Sequence, residues 1–285
     1  MGPLAYKHRK VQRLRLLVGR RTARDAEHRF VVEGTKLLAE ALAAGVPVES
    51  VFFAPDLVGP GDPLHTLIDR AHDTGTRVYE LEGDVLARVA GTVTPQPVLA
   101  VVPEVDVSLD TLEQRNADLV VVCVDVRDPG NAGTVLRSAE AAGAGGVVCC
   151  DGSVDVFNPK TVRASAGALF HVPVVRGGDA ASVLDQFGRW GLRRLGTSAT
   201  GGQEYTEVDM TGPVALVLGN EAHGLPDHLH DHIDGDHIDG DHIDEWVTIP
   251  MAGRSEFLNV GMAAAVLCFE AARQRRATKP AAVKP

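Results

Sequence analysis

The feature that most constrains this chain is the way its apolar runs are spaced and how they end. Leu119 to Val124, Gly146 to Cys150, His171 to Val175, Leu192 to Thr197, Val214 to Leu218 and Trp246 to Ile249 read as strands. Most are apolar without alternation, as strands buried on both faces of a parallel sheet are. Helical periodicity lies between most of them, at Asn131 to Ala142, Lys160 to Leu169 and Ala180 to Trp190, and a last helix is expected from about Glu256 to Arg276. That order predicts an α/β fold with a doubly wound, mostly parallel sheet. Three of the runs break at glycine or proline and deliver polar side chains at or near a helix start, where open α/β sheets bind ligands.

The first hundred residues alternate shorter signals: helix at Thr35 to Ala44, strand at Val48 to Phe53, helix at Leu64 to Thr74, and strands at Arg77 to Leu81 and Val98 to Val102. A small separate α/β domain over residues 1–103 is expected, then a polar linker at 104–117, a larger domain at 118–277 and a disordered tail at 278–285. A chain of 285 residues with 45% hydrophobic content supports two such cores. No apolar run approaches the roughly 20 residues needed to cross a bilayer. The start is charged from Lys7 onward, so a cytoplasmic protein with no membrane partner is expected. Cys123, Cys149, Cys150 and Cys268 lack zinc-site spacing and read as reduced core residues.

Charge is unevenly distributed. Seven of the acids behind the net charge of -10 fall within residues 231–245, whereas eight Lys and Arg between Lys7 and Arg24 precede the first acid, Asp25. That basic arm reads either as a phosphate-neutralising segment or as a solvated, helix-favouring tail. The acidic stretch is a repeat, Asp231-His232-Ile233-Asp234-Gly235 and two further copies, the last ending in Glu245. A five-residue spacing turns successive histidines by about 140° on a helix and places neighbours on opposite faces of a strand. No metal site is therefore expected, and the repeat reads as a flexible duplicated loop.

Three segments carry the polar residues. Asp128-Pro129-Gly130-Asn131 runs on to Arg137, with Asn131 expected as a helix N-cap and Arg137 either paired with a carboxylate or facing a ligand. Leu218-Gly219-Asn220-Glu221 ends an apolar strand, its glycine allowing close approach of backbone amides. Ile249-Pro250-Met251 leads through a longer loop to Leu258-Asn259-Val260.

In order and spacing these segments resemble the three motifs of the SpoU or TrmH-like RNA 2'-O-ribose methyltransferases of the SPOUT superfamily. Asn158-Pro159-Lys160 with Arg163 to Gly167, and Phe30-Val31-Val32-Glu33-Gly34, are similar to further family segments. The resemblance implies a ribosomal-protein-like RNA-binding domain followed by a SPOUT α/β-knot domain. It also implies S-adenosylmethionine as methyl donor, held in a trefoil knot, and a homodimer in which both subunits shape the site. By the same resemblance Gly219, Ile249 and Leu258, with Leu218, Asn220 and Met251, contact the donor, and Asn131, Arg137, Glu221 and Asn259 line the reaction centre. The expected substrate is a ribose 2'-hydroxyl of 23S ribosomal RNA. Phe257 and Gly261 depart from the third motif, which has small polar residues there, and Pro97 replaces a glycine, which would stiffen the junction between domains. Two other readings are a non-catalytic RNA-binding or ribosome-assembly protein with this fold, which Phe257 favours, and a metal-binding protein acting through the repeat.

Overall fold

The computed structural model describes residues 2–90, 94–229 and 242–278. The chain divides into two compact units, Met1–Val105 with Phe157–His171, and Asp106–Val156 with Val172–Pro285.

The first unit opens with two helices, α1 (Arg9–Gly19) and α2 (Arg21–Glu27), packed on the unit where the sequence suggested a basic arm or a solvated, helix-favouring tail. The reason is periodic: Val11, Leu14 and Leu17 are buried at helical spacing beneath the arginines. Then come β1 (Arg29–Glu33), α3 (Thr35–Ala43), β2 (Ser50–Phe53), α4 (Pro63–Asp73), β3 (Arg77–Glu80), α5 (Gly83–Ala90) and β4 (Val98–Pro103). The sheet order is β1-β4-β2-β3, with only β2 and β3 parallel. Gly34 turns β1 into α3 at φ 101°, and a Cβ there would lie 3.1 Å from Gln96 Cγ. Pro97 is not at the junction between units but leads β4, its carbonyl accepting from the Ala54 amide at 3.0 Å.

Segment Phe157–His171, placed by sequence in the second domain, belongs to the first unit. Long-range contacts hold it there. Phe157 stacks on Phe30 with centroids 4.6 Å apart, and Phe170 lies 6.3 Å from the same ring. Arg163 donates to the buried Glu33 carboxylate at 2.6 Å, and His171 meets Glu40 at 2.8 Å.

The second unit contains α6 (Leu109–Gln114), β5 (Leu119–Cys123), α7 (Pro129–Ala142), β6 (Gly146–Cys149), β7 (Val174–Arg176), α9 (Ala180–Arg189), β8 (Arg193–Thr197), a short β9 (Gln203–Glu204), β10 (Val214–Leu218), β11 (Glu245–Thr248) and α10 (Val260–Thr278). The intervening α8 (Pro159–Ser165) lies in the segment of the first unit. The expected linker is therefore partly helical, and Leu112 of α6 is buried in the core. Among the described residues the sheet order is β7-β6-β5-β10-β8-β11-β9, with every pairing parallel. Val120, Val122, Ala215 and Val217 on one face pack with Val183, Leu184 and Phe187 of α9. The last helix starts at Val260, four residues later than its sequence pattern suggests, because Asn259 caps it.

Among the described residues no helix is long and apolar enough to cross a membrane. All four cysteines are buried free thiols. Burial pushes Cys150 and Cys268 up to about 12. Since the thiolate is the reactive form, native protein at pH 8 should take up iodoacetamide at these two positions only after denaturant is added; peptide mapping before and after checks this.

Most of the repeat, like the tail beyond Thr278, falls outside the described residues. The end of its last copy is ordinary structure: His242 Nδ1 lies 2.8 Å from Asp185, Ile243 is buried, and Asp244 takes a bidentate contact from Arg194.

Candidate functional site

The site forms where four neighbouring parallel strands, β5, β10, β8 and β11, end at the same edge of the sheet. Val124 still donates to the Leu218 carbonyl at 2.8 Å, which holds the exits of β5 and β10 side by side.

Beyond β5 the chain turns at Asp125 and enters α7 with Pro129 in its first turn, where a missing N–H costs nothing. The N-cap is Asp128, not Asn131: the Asp128 carboxylate accepts from the Asn131 amide at 2.8 Å. The expectation of Asn131 fails because the residue before proline, Asp128, has the extended backbone that a cap needs. The Asn131 side chain is thereby released from capping and joins a directed chain. Its Nδ2 donates to Glu221 Oε1 at 2.8 Å, while its Oδ1 accepts from Asn259 Nδ2 at 2.8 Å. Asn259 Oδ1 in turn accepts from the Gly261 amide at 2.9 Å. Three residues separated by up to 128 positions are thus fixed in one array.

Arg137 is not part of this array. It is exposed on α7, and among the described residues it makes no hydrogen bond or ion pair.

The strand-end loop after β10 is held from both sides. Asn220 and Gly224 exchange backbone hydrogen bonds of 2.8 and 2.9 Å. The Asn220 side chain accepts from the amides of Ala222 (2.9 Å) and His223 (3.2 Å) and donates to the Asp125 carbonyl at 2.9 Å. Gly219 packs against the far side of this loop, so close that a Cβ would sit 2.3 Å from the Gly224 carbonyl carbon.

Two adjoining concavities share Asn220, Glu221, Ala222 and His223. The larger, about 850 Å³, is lined by Gly219, Ile249, Leu258, Trp246 and Phe257 among others, within the roughly 300–1,000 Å³ of small-molecule sites. The smaller, about 650 Å³, is more polar and includes Arg127, Asp128, Asn131 and Asn259. Of the residues expected at a donor, Gly219, Asn220, Ile249 and Leu258 line the larger cavity. Leu218 is instead buried within β10, and Met251 lies outside the lining. Sequence reading did not single out Thr197 to Thr200, Asp227 or Trp246, which also line it. The end of the β8 run at Thr197 was the available signal.

The departures from the third motif have local explanations. A Cβ at Gly261 would lie 3.0 Å from Thr134 of α7, so the packing of α10 on α7 favours glycine there. Phe257 is exposed and forms part of the larger cavity wall.

Comparisons with known proteins identify what the chain is similar to. Residues 118–269 match the SpoU rRNA Methylase family, and residues 8–100 match the MRM3-like substrate binding domain. The chain is 33% identical to 23S rRNA (guanosine(2553)-2'-O)-methyltransferase RlmP of Bacillus subtilis, over 86% of this chain and 89% of that protein. It is 30% identical to the 23S rRNA (uridine(2479)-2'-O)-methyltransferase of Streptomyces viridochromogenes, over 93% and 90% of the two chains. Among solved structures, the SpoU methyltransferase AviRb from Streptomyces viridochromogenes with its cofactor AdoMet is similar, with a TM-score of 0.78 at 29% identity over 95% of this chain and 100% of that one. An AdoMet-bound rRNA methyltransferase from Sinorhizobium meliloti has a TM-score of 0.79 at 27% identity, over 97% of each chain. With a parallel sheet, a donor-sized cavity at its strand ends and a family model matching residues 118–269, the chain belongs to the SpoU rRNA methylase family.

Proposed function

We propose that this protein transfers a methyl group from S-adenosylmethionine to a ribose 2'-hydroxyl of 23S ribosomal RNA. The observation that carries the reading is the Asn259–Asn131–Glu221 array at the seam between two concavities. One concavity is large enough for a nucleoside and the other is polar enough for a ribose and its phosphate.

The donor, when bound, supplies an electrophilic methyl carbon on a sulfonium. The residues suited to hold it are Gly219, Asn220, Ile249 and Leu258, whose backbone and apolar groups wall the larger cavity. Leu218 supports them from inside β10, and Met251 lies on the loop that follows Ile249. The tight turn at Gly219 keeps the loop amides in fixed positions, which suits a ligand read by backbone groups. The loops after β10 and β11 are the parts that a trefoil knot would involve.

In the smaller concavity, Glu221 faces the seam with Oε1 already engaged by Asn131, so that the carboxylate is oriented before substrate arrives. Asn131 and Asn259 fix that orientation and offer amide groups to the ribose. A ribose hydroxyl attacks only as its proton leaves or as the developing negative charge is stabilised. Arginine keeps its own proton in nearly every setting. Arg137 therefore acts by holding the adjacent phosphate and stabilising the oxyanion, while the hydroxyl proton passes to the Glu221 carboxylate and methyl transfer leaves a neutral thioether.

Its position on α7, away from its own subunit's array, suits an arrangement in which Arg137 serves the site of a second subunit. A stripe of partly or fully exposed apolar residues on the neighbouring α10, Met262, Ala265, Val266 and Phe269, supports a homodimer through these helices. A mixing experiment tests this. Arg137→Ala and Glu221→Gln proteins, each inactive alone, are unfolded and refolded together in equal amounts. Half of the dimers are then mixed, each with one intact site, and roughly a quarter of the wild-type activity returns. No recovery, with dimers intact, would place Arg137 in its own subunit's site.

The proposal as a whole is tested by calorimetry with S-adenosylmethionine and by transfer of labelled methyl to bulk ribosomal RNA. Donor binding without transfer to any ribosomal RNA would refute it.

A further inference from the structure

The basic arm at the start of the chain is not a uniform tail. Arg13 contacts Glu27 and Glu49, holding the Glu49 carboxyl below its ordinary range, and Arg29 donates to Glu49 at 3.1 Å. Arg24 is buried and donates to the carbonyls of Leu17 and Val18 at the end of α1. These cations belong to the fold. Others are arranged differently. The Arg15 and Arg88 guanidinium groups lie over the Tyr6 ring, 4.7 and 3.7 Å from its centroid. The Lys10 ammonium lies 3.8 Å from the centroid of Tyr79 and donates to its hydroxyl at 2.5 Å.

Tyr6 and Tyr79 both pack on the core cluster that α1 and α5 bury, so the rings are a fixed platform. Arg15 and Arg88 are exposed and Lys10 is half-buried. Among the described residues none of the three has an ion pair, whereas Arg13, Arg21 and Arg29 do. Glu82 and Asp84 are exposed at the start of α5, but neither pairs with Arg88. Two guanidinium groups on one ring repel each other, and among the described residues no carboxylate pairs with either, in a protein whose net charge is -10. A cation held over a ring keeps N–H groups free to donate. Such a surface suits a polyanion, and guanidinium groups match phosphate oxygens in particular.

We propose that the face around Tyr6 and Tyr79, with Arg15, Arg88 and Lys10, grips the sugar-phosphate backbone of the RNA substrate. This rests on the reading of the chain as an RNA methyltransferase and gives the first unit a specific contact surface. The Tyr6 ring already carries two cations, so the surface positions the RNA and does not read its bases. Lys7 and Arg9, both exposed, continue the positive run.

The test uses the full-length protein and two probes, poly(U) and partially hydrolysed bulk ribosomal RNA, with binding followed by fluorescence anisotropy across a sodium chloride series. An Arg15→Gln/Arg88→Gln protein should bind both probes about tenfold more weakly near physiological salt. Its plot of log affinity against log salt should be shallower by about 1.4 units for poly(U), roughly 0.7 for each phosphate that is no longer neutralised. Its affinity for S-adenosylmethionine should equal that of the wild type. An Arg15→Lys/Arg88→Lys protein, which keeps the charges, should recover most of the salt slope. A glutamine pair with wild-type affinity and slope overturns the proposal, as does a lysine pair as defective as the glutamine pair. A wild-type protein that binds neither probe at low salt would instead refute RNA as the substrate.

Discussion

Replacing Gly219 by alanine should weaken S-adenosylmethionine binding by about 10- to 100-fold while leaving the protein folded. The added Cβ would lie 2.3 Å from the Gly224 carbonyl carbon, 2.4 Å from the Leu225 nitrogen and 2.5 Å from the Gly224 oxygen. All three are backbone atoms, so no side chain can swing away. Nor is the loop free to retreat, because the paired Asn220 and Gly224 hydrogen bonds and the Asn220 contact to Asp125 hold it in place. Asp125 is itself committed, at φ 55° and with Arg127 donating to its carboxylate at 2.8 Å. Overpacking of this kind costs about 1–3 kcal/mol. The cost falls on the loop shared by both concavities and therefore on donor affinity. Calorimetry beside circular dichroism reads both quantities, and a folded Gly219→Ala protein with unchanged affinity would show that this loop does not bound the donor site.

The second large effect is on stability. Phe157→Ala should destabilise the first unit by about 3–5 kcal/mol, the usual range for a fully buried phenylalanine. Phe157 is 0% exposed and stacks on Phe30, also 0% exposed, which comes from β1 far earlier in the chain. Removing that ring takes away a large apolar contact of Phe157–His171 and leaves more of the hold on the segment to polar pairs such as Arg163–Glu33, with Glu33 8% exposed. Such pairs are a weak substitute for packed apolar surface. Denaturant unfolding followed by fluorescence or circular dichroism measures the change. A decrease below about 1 kcal/mol would mean that the segment does not complete this core.

The contrast between these two sites explains what was legible in the sequence. The strand runs are local signals, and Val214–Leu218 lies where its apolar residues suggest. Motif order likewise placed Asn131, Glu221 and Asn259 together, and the structure links them by hydrogen bonds. By contrast, the affiliation of Phe157–His171 depends on a ring in β1 more than a hundred residues away, and nothing local in the segment records that partner. The arm read as a solvated, helix-favouring tail, but its arginines dominate the run and hide the inward-facing Val11, Leu14 and Leu17 that make α1 part of the core. The cap of α7 was misplaced at Asn131, since proline at 129 starts the helix earlier and leaves Asp128 as the capping residue. Arg137 illustrates another limit. Its place on a helix follows from its neighbours, but a role in a second subunit's site depends on an interface that no single-chain pattern encodes.

The account of the reaction is tested most directly by mapping where the methyl group goes. A 2'-O-methyl ribose has no free hydroxyl to attack its own phosphodiester, so the bond after it resists alkaline hydrolysis. Ribosomal RNA lacking modification, incubated with this protein and S-adenosylmethionine and then hydrolysed in alkali, should acquire an alkali-resistant linkage in 23S RNA. That linkage should be absent when Glu221→Gln protein is used. Label found on a base, with every linkage still alkali-labile, would contradict the proposal that the Asn259–Asn131–Glu221 array serves a ribose hydroxyl.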